Sequence, residues 1–240
     1  RWDACAAGPE GAAGWRTAYD RLAGRRAYGA CDVSSTRDLT CVLWLIEPEA
    51  PGGLWELSVR FWVPAATLDQ RAQDDRRVDW RGWVTSGALA TTPGDVVDQG
   101  WVERQIKDGF AHFDVVAFAY DPWNAGKLVV DLQKENDAGP PLDADRLREM
   151  RQGHRSLGAA TAEFERLVFA ARLDHGGHPV LAWMARNARV RFDVNLNYVP
   201  DKGSSKDKID GIVSAVMATA LAIGGEDQGL VTGADVGMVL

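Results

Sequence analysis

The sequence predicts a mixed α/β fold whose sheet is partly antiparallel and partly parallel. Three observations carry that expectation. Between residues 26 and 64, apolar segments are joined by short polar turns, as in hairpins. Further on, DVVAFAY (114–120) is apolar on both alternating faces, the pattern of a central strand covered on both sides and paired in parallel. Segments of helical spacing lie on either side of that run, so strands and helices alternate in the second half of the chain.

The elements follow in order. Residues 1–25 read as a loosely helical lead-in, with GWRTAYDRLAG its best helical piece. RAYGACDVSSTRDLTCVLWLIEP predicts strands near 27–33 and 39–47 around a turn at Ser34–Arg37. In LWELSVRFWVP, Trp55, Leu57, Val59, Phe61 and Val63 alternate with Glu56, Ser58 and Arg60, a period of two that Pro64 ends. Helices are expected over 67–86, with Thr67 as N-cap, and over 98–109, with the turn TTPGD between them. After the strand at 114–120, PWNAGKLVVDLQKE starts a helix on a favourable first-turn proline. A short strand near 146–151 is the next candidate, and TAEFERLVFAARL is a helix with Phe164, Leu167, Val168 and Ala171 on one face. NARVRFDVNLNYVP predicts a late hairpin turning near Asn195, and PDKGSSKDK a polar loop. KIDGIVSAVMATALA is the closing helix, and residues 223–240 are expected to form a loose tail.

Composition narrows the function. The chain has 240 residues, a net charge of −7 and a pI near 5.1, which argues against coating nucleic acid by bulk electrostatics. No apolar run approaches the roughly 20 residues needed to cross a bilayer, and no signal peptide opens the chain. Cys5, Cys31 and Cys41 are odd in number and form no C-x-x-C pair, so a disulfide framework is not expected and the compartment reads as reducing and cytosolic. His175 and His178, three apart, lack the further ligands that zinc requires.

Two chemistries compete within FDVVAFAYDPWNAGKLVVDL. Gly126-Lys127 hints at a phosphate loop, but the residue five before Gly126 is Asp121 and the residue after Lys127 is Leu128, so the P-loop pattern fails twice. The carboxylates are the better lead. Asp32, Asp121 and Asp210 each sit at the edge of an apolar element. Brought together they would repel one another, unless hard divalent cations such as Mg or Mn lay between them. Taken singly, Asp32 and Asp121 also suit turns and Asp210 a helix cap, and periodicity alone does not bring the three together.

Four quoted segments resemble, in order, the nuclease domain of tailed-bacteriophage large terminases: CDVSSTRDLTCVLWL, VAFAYDPWNA, HGGHPVLAWMARNARV and KIDGIVSAVMA. The likeness runs from about residue 26 to 222. It implies a ribonuclease H-like domain over 26–222 and hydrolysis of double-stranded DNA by two divalent cations, Mg or Mn, with little sequence specificity. On this mapping Asp32, Asp121 and Asp210 are the catalytic, metal-binding carboxylates, and Asp38 and His175 are accessory candidates. Beside this mapping, Arg146, Arg148 and Arg151 in RLREMRQGHR and Lys202, Lys206 and Lys208 in PDKGSSKDK are candidates for contacting DNA phosphates, with a solvated face and a solvated loop as their respective alternatives. The implied partners are DNA, the phage portal, the small terminase subunit and an ATPase domain, in the cytoplasm of an infected bacterial host. No membrane partner is expected, and the isolated domain is expected to be monomeric. With no Walker A loop, this chain is expected to be the nuclease part alone, or a fragment, without the ATPase domain. A junction resolvase or transposase core of the same superfamily, and a non-catalytic portal-docking module, are the alternatives.

Overall fold

The computed structural model describes residues 1–6, 11–33 and 39–224. Three antiparallel strands come first, β1 (Arg26–Asp32), β2 (Thr40–Ile46) and β3 (Trp55–Pro64), after a short helix α1 (Ala18–Arg21). Then follow α2 (Ala65–Asp74), α3 (Trp80–Ser86), β4 (Ala90–Thr92), α4 (Gln99–His112), β5 (Asp114–Tyr120) and α5 (Pro122–Leu132). The second half holds β6 (Leu147–Glu149), α6 (His154–Phe169), β7 (Leu173–Asp174), α7 (Pro179–Asn187), the hairpin β8 (Val190–Phe192) and β9 (Tyr198–Pro200), and α8 (Asp210–Gly224). The main sheet runs β4-β3-β2-β1-β5-β6, with β7 on the free end of β3. β5 pairs in parallel with both β1 and β6, as its two-sided apolarity predicts.

Both faces of the sheet are covered, and β2 shows why every one of its residues is buried. Cys41, Leu43 and Leu45 point into a core shared with Leu157 and Phe164 of α6 and with Val213 and Met217 of α8. Val42, Trp44 and Ile46 point the other way, against Val102 and Ile106 of α4 and Leu128 and Leu132 of α5. α8 is buried continuously from Asp210 to Thr219, so it is apolar all round rather than along one stripe.

Several expectations are corrected. The helix read over 67–86 is two helices broken at Asp75–Asp79, where Asp79 caps the second by accepting from the Gly82 amide at 3.0 Å. Thr67 is not an N-cap: α2 begins behind Pro64, and the Thr67 hydroxyl donates back to the Pro64 carbonyl at 2.9 Å. α6 starts at His154, seven residues ahead of the expected start, and α7, β4 and β7 are elements that the sequence pattern does not predict. β4 and β7, three and two residues long, are too short to show periodicity. The lead-in is packed rather than loose: Cys5 is buried and the Trp15 amide donates to the Gly176 carbonyl at 3.0 Å. The residues of the expected tail beyond Gly224, and Asp38, lie outside the described residues, while residues 223 and 224 belong to α8.

Candidate functional site

Three elements deliver the three aspartates. β1 and β5 lie side by side in parallel with Cys31 opposite Tyr120, so Asp32 and Asp121 emerge at the same end of adjacent strands. Neighbouring strands run roughly 4.8 Å apart. Pro122 cannot continue the β5 ladder but suits the first turn of a helix, and Asp121 caps α5 by accepting from the Trp123 amide at 3.1 Å. Asp210 is the first residue of α8, which crosses β1, β2 and β5 and so brings a third carboxylate back over the same strands.

Asp32 and Asp210 are buried, at 5% and 8% exposure, and they converge on one cation of the chain itself. The Lys202 ammonium donates to Asp32 Oδ2 and lies 3.3 Å from Asp210 Oδ1. Asp210 Oδ2 is buried without a hydrogen-bond partner among the described residues. Burial, and then the charge of Asp32, outweigh Lys202 and raise the Asp210 carboxyl to about 6. For Lys202, burial works toward a lower value, but the two carboxylates override it and hold the ammonium above the ordinary lysine value. Cys31 and Cys41 stand on either side of Asp32, with the Cys41 Sγ 3.1 Å from the Ser214 hydroxyl. Burial above all pushes both thiols up, so they remain neutral and are poor competitors for a hard cation.

Among the described residues, no three Asp, Glu, His or Cys side chains gather into a group able to hold a metal. What the fold presents is a buried pair, Asp32 and Asp210, with Asp121 at the neighbouring strand end. The pair fits a divalent ion on chemical grounds. It is all-oxygen, doubly acidic when ionised, and leaves one buried oxygen unsatisfied.

The raised Asp210 value carries a stability prediction. Its folded value of about 6 exceeds the ordinary 3.8, so the folded chain binds this proton more tightly than the unfolded one. The resulting stabilisation is complete below the unfolded value and is lost as pH rises through about 6. Asp210→Asn is therefore expected to be more stable than the wild type near pH 8 without metal, by on the order of 2 kcal/mol. Urea melts of the two proteins should converge near pH 4, about where both side chains are neutral. A wild type that is the more stable at about pH 8 would contradict this reading.

The other candidates divide. His175 is not an accessory to the carboxylates. Its ring is buried and stacked on Trp2 at 4.3 Å, its Nδ1 accepts from the Gly177 amide, and its Nε2–H must therefore donate to the Trp2 carbonyl at 3.0 Å. Burial lowers both histidines, His178 to about 3, and His178 serves as the N-cap of α7. Arg146 does not form part of a DNA-facing strip either: it donates to the Val115 carbonyl and lies over the Phe110 ring at 5.2 Å. Arg148 lies in β6 opposite Ala119, and exposed Arg151 pairs with Glu149 at 3.6 Å, beside the β5 end that leads to Asp121. Lys206 is exposed, and Lys208 is half-buried with its charge felt at Asp210. Sequence reasoning missed that Lys202 faces the carboxylates, because spacing places a loop lysine near Asp210 without saying where its ammonium points. Trp123, two residues beyond Asp121, is 89% exposed.

Strand-end carboxylates on a two-sided mixed sheet, closed by a helix that carries a third, define a ribonuclease H-like α/β domain. The match to solved structures agrees: the large terminase of bacteriophage HK97 superposes with a TM-score of 0.72 at 33% identity, over 85% of this chain and 42% of that one. Residues 16–226 match the family model of the terminase large subunit, endonuclease domain, and the chain belongs to that family. The curated relatives include the terminase large subunit of Enterobacteria phage HK97, 36% identical over 83% of this chain. Another is Protein YmfN of Escherichia coli (strain K12), 28% identical over 85% of this chain. The chain spans 38% and 45% of those two relatives, less than half of each. No helix among the described residues is long and apolar enough to cross a membrane.

Proposed function

We propose that this chain is a divalent-metal-dependent endonuclease domain that hydrolyses double-stranded DNA with little sequence specificity. The observation that carries the reading is the buried Asp32–Asp210 pair, one of whose oxygens has no partner among the described residues, in a chain of this family. Asp32 and Asp210 would hold a cation between them, and Asp121 would contribute the oxygen it does not use to cap α5. Asp38 remains an accessory candidate. Two ions, Mg or Mn, when bound, would lower the pKa of an attacking water and neutralise charge on the phosphodiester.

The chain's own residues do the rest. Burial of Asp32 and Asp210 fixes their carboxylates before substrate arrives, so no ordering cost falls on the reaction. Arg148, Arg151, Lys206 and Lys208 would meet backbone phosphates, contacts that position a duplex without reading its bases. A net charge of −7 makes DNA affinity weak and salt-sensitive for this part alone. A monomer that works beside an ATPase domain, the portal and the small subunit, in the cytoplasm of an infected bacterium, completes the proposal. It is tested with supercoiled plasmid. Cleavage is expected with Mg or Mn, none in EDTA, and recovery when metal is restored. Cleavage that persists in EDTA, or a strong preference for four-way junctions over linear duplex, would overturn it.

A further inference from the structure

We infer that Lys202 is a displaceable counter-ion of the Asp32–Asp210 pair: its ammonium fills the space between the two carboxylates that would hold a divalent cation, so Lys202 would have to leave for that cation to bind. This rests on the metal-dependent reading above. It adds that the chain itself sets a threshold on metal binding.

The geometry makes the two cations mutually exclusive. Lys202 Nζ contacts Asp32 Oδ2 and lies 3.3 Å from Asp210 Oδ1. A divalent ion held by those two carboxylates would have to enter the space the ammonium fills. The partners also differ in freedom. The Asp32 and Asp210 side chains are 7% and 12% exposed and held by strand and helix, whereas the Lys202 side chain is 42% exposed and comes from a loop. The ligands are fixed and the lysine has somewhere to go.

Only the side chain needs to move. The loop backbone is hooked to the foot of the β8–β9 hairpin. The Asp201 amide donates to the Arg189 carbonyl at 2.8 Å, and the Arg189 amide to the Ser205 hydroxyl at 3.1 Å. That hydroxyl donates in turn to the Asp201 carbonyl at 2.6 Å. A rotamer change at Lys202 leaves these bonds intact.

Charge makes the exchange closely balanced. One ammonium offsets one of two buried negative charges and leaves Asp210 Oδ2 without a partner. A divalent ion offsets both and can take up that oxygen. Lys202, however, is tethered and gives up little freedom in binding, and the incoming ion must first shed water. The lysine therefore holds the pair in the absence of metal and raises the concentration needed to replace it.

The test is a Mn titration of the 240-residue chain without DNA, at constant pH and salt, read by calorimetry. Lys202→Met should bind Mn about tenfold more tightly than wild type, because the competing state is removed. Lys202→Arg, which keeps the charge, should not gain affinity. At one fixed Mn concentration, the rise in melting temperature should be larger for K202M than for wild type. If K202M does not fold, Lys202→Gln takes its place. Mn affinity in K202M equal to or weaker than wild type, with binding still abolished by Asp32→Asn, overturns the inference and leaves the metal centre standing. Absence of Mn binding in wild type and K202M alike overturns both.

Discussion

Alanine at Asp32 or Asp210 is expected to reduce plasmid cleavage by about a thousandfold or more, which corresponds to some 4 kcal/mol of lost transition-state stabilisation. The two carboxylates face one cation position. The flanking thiols are held neutral by burial. Asp121→Ala should lose cleavage comparably. It should also lose about 1 kcal/mol of stability, because its side chain caps α5. Circular dichroism and urea melts separate the two effects: Asp210→Ala should stay folded, since removing a buried carboxyl of raised pKa relieves a cost. Cleavage near the wild-type rate in any of the three would remove that residue from the centre.

The largest expected effect on stability lies at Trp44, in the middle of β2. It is 1% exposed, and its ring meets Phe118 at 5.3 Å, Phe113 at 5.7 Å and Phe110 at 6.1 Å. Gly29 of β1 and Gly109 of α4 make room for it: a Cβ on either would overlap the Trp44 ring. Trp44→Ala should cost about 4 kcal/mol, the usual range for emptying an aromatic core site. Set against a typical domain stability of roughly 5–15 kcal/mol, that leaves the variant marginal. Trp44→Phe should cost much less, because it keeps a ring and removes an indole N–H that is buried without a partner. Chemical unfolding of the two variants checks the order, and a W44A protein as stable as W44F would refute this account of the core.

The positions of the three aspartates were legible because each ends or begins an apolar element, and element boundaries are written in local chemistry. Pro122 after an apolar run marks the end of β5, and the onset of an apolar stretch at Asp210 marks the start of α8. That β5 pairs in parallel followed from its apolar faces, since a strand covered on both sides reads differently from one half exposed. The hairpins of β1–β3 and of β8–β9 were likewise visible as strand-like segments on either side of a turn, with a period of two in β3.

The sequence by itself determined these segments, their order and the residue types at their ends. Only the tertiary structure decided which side chains meet. Lys202 and Arg146 were alike as candidate DNA-contacting cations, yet one faces two buried carboxylates and the other lies on an aromatic ring. His175, the first residue of a family-like segment, is taken up by Trp2 from the far end of the chain. The edge strands β4 and β7 depend on β3, a partner distant in sequence, whereas the break in the expected 67–86 helix has a local cause in the Asp79 cap. The physical reason is the range of the forces involved. Periodicity, caps and proline report on neighbours within a few residues. Ion pairs and ring contacts form between groups that only the folded chain brings together, 170 residues apart for Asp32 and Lys202.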